Sequence, residues 1–277
     1  MIIDAQVHCY EADTPSRPWA AHLHGPPEVT GDDMVAAMDA VGVDGAILVS
    51  PWTLYRFDPA YVVGVQAAHP GRFGLVKPID TTADDAGPVV ADWASAPGAV
   101  GVRIMMVGDV GRDADQPGVN AVLASAGTVG LPVNLLCWGK TDVVAELARR
   151  HPDTQLVIDH LGLRQPFEPP PPPEPWADLP KVTALAAYPN VVVKVTGACT
   201  LAHEPYPYPD IWDPLARLFE AFGIERCLWG TDWTRAVNLL TYEQGVRPFV
   251  LTDRLTDGER DQLMGANSAR VYNWSPG

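Results

Sequence analysis

Eight short apolar runs recur along the chain, each followed by a longer segment with helical periodicity. The runs are dominated by Val, Ile and Leu, which is typical of parallel strands that are covered on both faces. They lie at residues 2–7, 45–50, 73–79, 99–105, 131–137, 155–160, 191–196 and 226–231. Eight strand and helix repeats in one chain predict an α/β fold, a (β/α)8 TIM barrel.

Helices are predicted in the intervals between the runs. In residues 31–41 apolar side chains recur on one stripe behind Asp32 and Asp33, and acidic groups favour a helix N-terminus. Asp58 and Pro59 are expected to open the next helix as its N-cap and first residue. The remaining helices are expected near 84–95, 117–129, 141–150, 177–188, 210–222, 242–252 and 258–272.

The composition agrees with one large domain. The 277 residues are 47% hydrophobic, and barrels of this class commonly place about 250 residues in a single domain. We therefore predict one domain over residues 1–277, with a proline-rich βα loop near 164–180. A stiff loop at that place is expected to wall or cover a site, and docking of its polyproline segment on a partner is the alternative.

The charge of the chain limits its partners. With 34 acidic and 19 basic residues the formal charge is -15, which repels phosphate backbones and anionic lipid surfaces. A small-molecule substrate is expected, without nucleic acid or membrane partners, and the sequence leaves homo-oligomer formation open. The first residues do not resemble a signal peptide and no stretch approaches the ~20 apolar residues of a membrane span, so a cytoplasmic protein is expected.

Ionisable side chains stand at the ends of three apolar runs. His8 closes the first run, His160 the sixth and Asp232 the eighth. The C-terminal ends of parallel strands meet at the mouth of a barrel, where enzymes of this architecture place their catalytic groups. Burying three such groups only as packing would cost several kcal/mol. We therefore predict that these three side chains converge as the catalytic residues of one site.

Three cations near the same strand ends are predicted to bind substrate. Lys194 lies inside the seventh run, Arg103 lies in the fourth, and Arg164 follows the sixth. Each could form a structural ion pair, but together they suggest an anionic or strongly polar substrate.

Other polar and aromatic residues are predicted around this site. Gln6 alternates with His8 along the first strand and faces the same side. Trp52, Tyr55 and Trp138 lie on βα loops and are expected to wall an apolar pocket that binds substrate together with Gln6.

Two further features are expected to lie outside the chemistry. Asp159 should point away from the lumen and cap a neighbouring element, because it precedes His160 in the same strand. His22 and His24 form a second HxH pair, but in a Gly- and Pro-rich loop, where a solvated or lid position is predicted instead of metal ligation.

The three catalytic candidates also form a donor set for one divalent metal. Two imidazoles and a carboxylate with an open position suit zinc. Gln6 stands where a further imidazole would be wanted, and a neutral amide is a poor zinc ligand. The sequence therefore leaves two alternatives: a divalent ion, zinc being expected, on His8, His160 and Asp232, or operation without metal.

The chain resembles the amidohydrolase superfamily, and within it the amidohydrolase-2 branch of small lactonases and non-oxidative decarboxylases. Six segments carry the resemblance in the family's order: IDAQVH at 3–8, GVR at 101–103, VIDHLG at 157–162, VKVTG at 193–197, LWGTDW at 228–233 and NSARVY at 267–272. The resemblance implies a distorted (β/α)8 barrel and, with the short chain and the Thr231-Asp232-Trp233 ending, a lactonase more than a decarboxylase. Gln6 departs from the pattern, since lactonases of the branch typically have His there and decarboxylases often Glu. Some members of the branch are understood to hydrolyse lactones without metal.

The leading hypothesis is hydrolysis of a lactone or related cyclic ester of a small polar or carboxylated substrate. Asp232 would activate water as general base, and His8 and His160 would polarise the carbonyl and stabilise the oxyanion, with a metal's help if one is bound. One alternative is metal-dependent, non-oxidative decarboxylation of an aromatic or unsaturated carboxylate. Another is a non-catalytic binding barrel in which Gln6 marks a lost metal site.

Overall fold

Eight parallel strands form one nearly closed barrel. The computed structural model describes residues 1–23 and 25–277. The strands are β1 Ile3–Val7, β2 Gly45–Val49, β3 Phe73–Pro78, β4 Ala99–Met105, β5 Val133–Leu136, β6 Leu156–Ile158, β7 Val191–Thr196 and β8 Cys227–Gly230. They pair in sequence order, each parallel to the next. Where β8 meets β1, the backbone N–H of Asp232 donates to the Gln6 carbonyl at 3.0 Å. The predicted TIM barrel is confirmed.

Helices surround the strands. They are α1 Gly31–Val41, α2 Trp52–Tyr55, α3 Ala60–Ala68, α4 Ala86–Trp93, α5 Pro117–Val129, α6 Thr141–Arg150, α7 Leu179–Thr183, α8 Trp212–Phe222, α9 Trp233–Ala236, α10 Tyr242–Leu251, α11 Asp257–Asp261 and α12 Asn267–Val271. The single turns α2 and α9 were not predicted. The expected helix over 258–272 is instead α11, a π-helical turn over Gln262–Ala266 and α12. None of the described helices is long and apolar enough to span a membrane.

Two apolar layers hold the barrel. The larger joins one face of the strands to the surrounding helices, where Met34 and Met38 of α1 are fully buried. The other joins inward strand residues such as Ile47 and Val192 to the C-terminal segment. Tyr272 of that segment closes this inner layer, and its buried hydroxyl donates to Asn134 Oδ1 at 2.8 Å. The N-terminal end of the barrel is therefore packed, and polar groups collect at the opposite end.

Two strand ends turn sharply instead of continuing into a helix. After β6 the backbone of His160 has φ 54° and that of Leu161 has φ 61°, and after β8 Asp232 has φ 50°. Left-handed backbone is uncommon for residues other than glycine and is found mostly where surrounding structure enforces it, as at active sites. Between Leu163 and Asp178 the proline-rich loop forms no helix or strand.

Candidate active site

A pocket opens at the C-terminal ends of the strands. It has a volume of about 90 Å³. Its floor is polar and its walls are mostly apolar and aromatic. The lining residues are His8, Tyr10, Leu23, Pro51, Trp52, Thr53, Arg103, Met105, Leu136, Trp138, His160, Phe167, Asp232, Thr234 and Arg235. The structure thus brings the three predicted catalytic side chains to one pocket, with Arg103, Trp52 and Trp138 among the predicted substrate-binding residues.

Asp232 is the centre of the polar floor. Its carboxylate is fully buried; Oδ1 lies 3.4 Å from His8 Nε2, and Oδ2 lies 3.4 Å from His160 Nδ1. Oδ2 also accepts a hydrogen bond from Arg235 Nε. Burial alone would raise the pKa of Asp232, but His160, Arg235 and His8 outweigh it and hold that pKa well below its usual range. These contacts therefore favour the ionised carboxylate.

His8 presents a lone pair to the site. Its Nδ1 lies 2.7 Å from the Val49 carbonyl, an atom that can only accept, so Nδ1 carries a proton. In the neutral ring Nε2 is then unprotonated, and this is the atom that faces Asp232 Oδ1 and, at 3.4 Å, the amide nitrogen of Gln6. The backbone N–H of His8 donates to Thr234 Oγ1 at 3.1 Å, which holds the strand end in place.

His160 is neutral and is held from both sides. Burial lowers the pKa of His160 to about 4, although Asp232 and Asp159 oppose this. Its Nε2 faces two donors at 3.2 Å, Arg103 Nη2 and Gln6 Nε2, so Nε2 accepts. Its Nδ1 therefore carries the proton, beside Asp232 Oδ2 and 3.1 Å from the Thr196 hydroxyl.

Asp159 faces the lumen, and the prediction that it points outward is wrong. Its Oδ2 accepts from Arg103 Nε at 2.7 Å, and its Oδ1 lies 3.1 Å from Lys194 Nζ. Burial works to raise the pKa of Asp159, but Lys194 and Arg103 outweigh it and lower that pKa to about 2. Val157 of β6 belongs to the inner apolar layer, so alternation along the strand places Asp159 on the lumen side. His160 turns inward as well because its backbone, after β6 ends at Ile158, is left-handed.

Four of the predicted substrate-binding residues do not line the pocket. Gln6 is fully buried, and its amide nitrogen contacts the rings of His8 and His160. Lys194 is fully buried beneath the pocket, bonded to Asp159 and to Gln6 Oε1 at 2.8 Å. Arg164 is exposed to solvent on the proline-rich loop. Tyr55 lies behind the wall, where its hydroxyl accepts from the Glu11 N–H at 3.1 Å. The sequence located these side chains near the strand ends but could not show which of them reach the pocket.

The sequence analysis missed Arg235, which ties the proline-rich loop to the site. Besides its bond to Asp232, its Nη2 donates to Gln165 Oε1 at 2.8 Å and its Nη1 to the Pro166 carbonyl at 2.5 Å. Its guanidinium carbon also lies 5.4 Å from the centre of the Phe167 ring, which walls the pocket. An arginine three residues after a strand-end aspartate was the available signal. His24, predicted to be solvated or part of a lid, lies outside the described residues.

The arrangement does not fit a metal ion. In the described ranges no group of three His, Cys, Asp or Glu side chains is arranged to hold one. The lone pair of His160 Nε2 is occupied by Arg103 and Gln6, and Asp232 Oδ2 by Arg235. The three side chains predicted as zinc ligands are adjacent, but Arg235 contacts Asp232 Oδ2, and the Gln6 amide nitrogen faces both Nε2 atoms, which leaves Asp232 Oδ1 as the one coordinating atom of the three without a hydrogen-bond partner among the described residues.

Comparison with known proteins assigns the family. The model of the amidohydrolase family Amidohydro_2 matches residues 3–274. L-Fucono-1,5-lactonase of Burkholderia ambifaria is 29% identical over 192 residues, 64% of this chain, and the match spans only 60% of that relative's length. 4-Sulfomuconolactone hydrolase of Hydrogenophaga intermedia is 23% identical over 97% of this chain and 88% of its own. A crystal structure of an amidohydrolase from Burkholderia multivorans with bound zinc has a TM-score of 0.80 at 22% identity and covers 99% of both chains. This chain belongs to the amidohydrolase family.

Proposed function

We propose that the chain hydrolyses a lactone or related cyclic ester of a small substrate. The observation that carries this proposal is the buried, ionised Asp232 carboxylate between two imidazoles on the floor of an otherwise apolar pocket. In the described part of the chain its Oδ1 has no hydrogen-bond partner, so one lone pair remains for a water proton. Both curated relatives compared above are lactone hydrolases by name, which supports the same reaction class.

The proposed reaction begins with water attack on the lactone carbonyl. Asp232 Oδ1 accepts the proton of the attacking water as general base. The carbonyl oxygen becomes an oxyanion and is stabilised by Arg103. Its Nε and Nη2 contact Asp159 and His160, and its Nη1 has no hydrogen-bond partner among the described residues. The ring C–O bond then breaks, and the proton passes from Asp232 through His8 Nε2 to the leaving oxygen, which gives the open hydroxy acid.

This geometry changes the roles first expected of the imidazoles. His160 Nε2 faces the N–H donors of Gln6 and Arg103 and accepts from them. His8 Nε2 lies 3.4 Å from both the Gln6 amide nitrogen and Asp232 Oδ1. A neutral imidazole that presents a lone pair cannot donate to an oxyanion. We therefore assign oxyanion stabilisation to Arg103, proton transfer to His8, and orientation of Asp232 and Arg103 to His160.

The pocket also limits the substrate. Among the described residues, the cations that line it are Arg103 and Arg235, and Arg235 is already bonded to Asp232. Trp52, Trp138 and Phe167 supply flat apolar walls. We infer a small ring with an apolar face and a single polar or anionic group placed at Arg103.

The test is a panel of five- and six-membered lactones, assayed by acid release, with the Asp232→Asn variant. Loss of a general base is expected to lower kcat by about 10²–10⁴-fold, while Asp213→Asn, an exposed aspartate on α8, leaves it unchanged. A folded Asp232→Asn variant that keeps most of its turnover would eliminate the base assignment.

Two other results would contradict lactone hydrolysis and support one of the alternatives. Carbon dioxide release from aromatic or unsaturated carboxylates, without lactone turnover, would establish the decarboxylase alternative. That reaction requires a divalent ion on the substrate, and the donor set described above does not supply its ligands. Ligand binding without turnover across both panels would establish a non-catalytic barrel.

A further inference from the structure

We propose that the amide of Gln6, oriented by Lys194, occupies the position of a metal ion between His8 and His160 and keeps divalent cations out of this barrel. This inference goes beyond the proposed reaction and does not depend on it, because its test measures metal binding and not turnover.

Lys194 sets the orientation of the Gln6 amide. Lys194 Nζ lies 2.8 Å from one terminal atom of the amide. An ammonium group can only donate, so that atom is the oxygen Oε1, and the nitrogen Nε2 must face the opposite way. Lys194 is in turn held by Asp159 at 3.1 Å, and all three side chains are fully buried. The amide therefore has one stable orientation.

The Gln6 nitrogen then faces two imidazole lone pairs. It lies 3.4 Å from His8 Nε2 and 3.2 Å from His160 Nε2. His8 Nδ1 donates to Val49, so that in the neutral ring Nε2 can accept from Gln6, and His160 Nε2 accepts because Arg103 also donates to it. Two imidazole nitrogens that converge on one positive centre are the arrangement a zinc site requires. Here the two N–H bonds of an amide take the place of the ion.

The charges around the Gln6 amide also disfavour a divalent cation. Three cations contact this cluster, Lys194, Arg103 and Arg235, against two carboxylates, Asp159 and Asp232. In formal charges these five groups leave one positive charge in excess. A divalent ion would raise the excess to three in a buried site, which is strongly unfavourable without further anionic ligands.

The experiment compares zinc retention by the wild type, by Gln6→His and by Gln66→His. The first substitution replaces the amide with an imidazole that alternates with His8 on β1. The second adds a histidine on α3, away from the site. After incubation with zinc and gel filtration, elemental analysis should find about one zinc per chain in Gln6→His only. Zinc should also raise the Tm of that variant, because an ion that binds only the folded state stabilises it, and a chelator should reverse the increase.

Two outcomes of the zinc experiment would contradict the proposal. Stoichiometric zinc in the wild type that is lost in His8→Ala would overturn the proposal, and so would a folded Gln6→His protein that retains none. If Gln6→His does not fold, nitrogen NMR of the histidine rings decides: the Nε2 resonances of His8 and His160 should both shift between the wild type and Gln6→Met. Resonances that stay unchanged on both rings would contradict the assigned contacts. Failure of lactone turnover would leave all of these readouts unaffected.

Discussion

Among single residues, Asp159 is the anion on which two buried cations depend. Lys194 is fully buried and Arg103 is 4% exposed, and both contact the Asp159 carboxylate. Asp159→Asn keeps the shape but leaves two cations without their anion, and breaking a buried ion pair in this way costs about 3 kcal/mol or more. Urea unfolding of the variant should show that loss in the free energy of unfolding.

The control for Asp159 is an ion pair at the surface. Asp178 lies 2.7 Å from Lys181, but both side chains are more than half exposed. Asp178→Asn should change the free energy of unfolding by less than about 1 kcal/mol. Equal effects of the two substitutions would show that the buried cations do not depend on Asp159.

The sequence predicted which residues meet at the site better than what each one contacts. His8, His160 and Asp232 were recognisable because an ionisable group at the end of an apolar run has few explanations other than chemistry. The direction of Asp159 was predicted wrongly because His160 was taken to mark the lumen side of the strand, whereas His160 reaches the lumen through left-handed backbone that begins two residues after β6 ends. Lys194 was predicted to bind substrate, with a structural ion pair as the alternative. It pairs with Asp159, a choice that depends on distances across the barrel.

At the scale of elements, helix α5 contains Gly118 at a position where helix propensity alone would favour alanine. In a helix Ala is favoured over Gly by about 1 kcal/mol. A Cβ on Gly118 would lie 1.8 Å from the Thr81 carbonyl oxygen, whereas a Cβ on Gly64 of α3 meets nothing within 4 Å. Gly118→Ala should therefore lower the free energy of unfolding, because α5 must move away from backbone that follows β3. Gly64→Ala should raise it by up to about 1 kcal/mol.

Thermal and urea unfolding of the two alanine variants give the comparison directly. The two substitutions are chemically identical, so the difference between them reports only the packing of each helix. If Gly118→Ala were as stable as Gly64→Ala, the close approach of α5 to Thr81 would be wrong.

The elements themselves were largely predictable. All eight strands are where the apolar runs placed them, because a strand covered on both faces has little choice of composition. The ends of elements were less so: β5 begins at Val133, two residues after the apolar run starts. The π-helical turn between α11 and α12 was not predictable, because it depends on a contact with a distant part of the chain. A Cβ on Gly265 in this turn would lie 2.2 Å from the Met1 carbonyl oxygen, so only glycine fits there.

For the molecule as a whole, two buried groups make opposite contributions to the pH dependence of stability. Burial raises the pKa of Asp4 to about 6 from an ordinary 3.8, so the folded state binds its proton more readily. Stability from Asp4 therefore increases as the pH falls from about 6. The pKa of His160 is lowered to about 4 from an ordinary 6.5, so the unfolded state binds that proton first. Stability from His160 therefore decreases as the pH falls from about 6.5.

The two contributions nearly cancel in the wild type and can be separated by His160→Asn. Asparagine tolerates the left-handed backbone at this position and does not titrate. Between pH 6.5 and 4.5 the wild type should lose about 3 kcal/mol through His160 and gain about 2 kcal/mol through Asp4, at 1.4 kcal/mol per pH unit. Only the gain through Asp4 should remain in the variant.

Urea unfolding at pH 6.5, 5.5 and 4.5 should thus show that the loss of unfolding free energy caused by His160→Asn decreases by about 3 kcal/mol as the pH falls. His203→Asn, at an exposed histidine, should show a constant difference from the wild type. A cost of His160→Asn that stays constant with pH would mean that this imidazole is not held neutral, and the tautomer assigned to it at the site would be wrong.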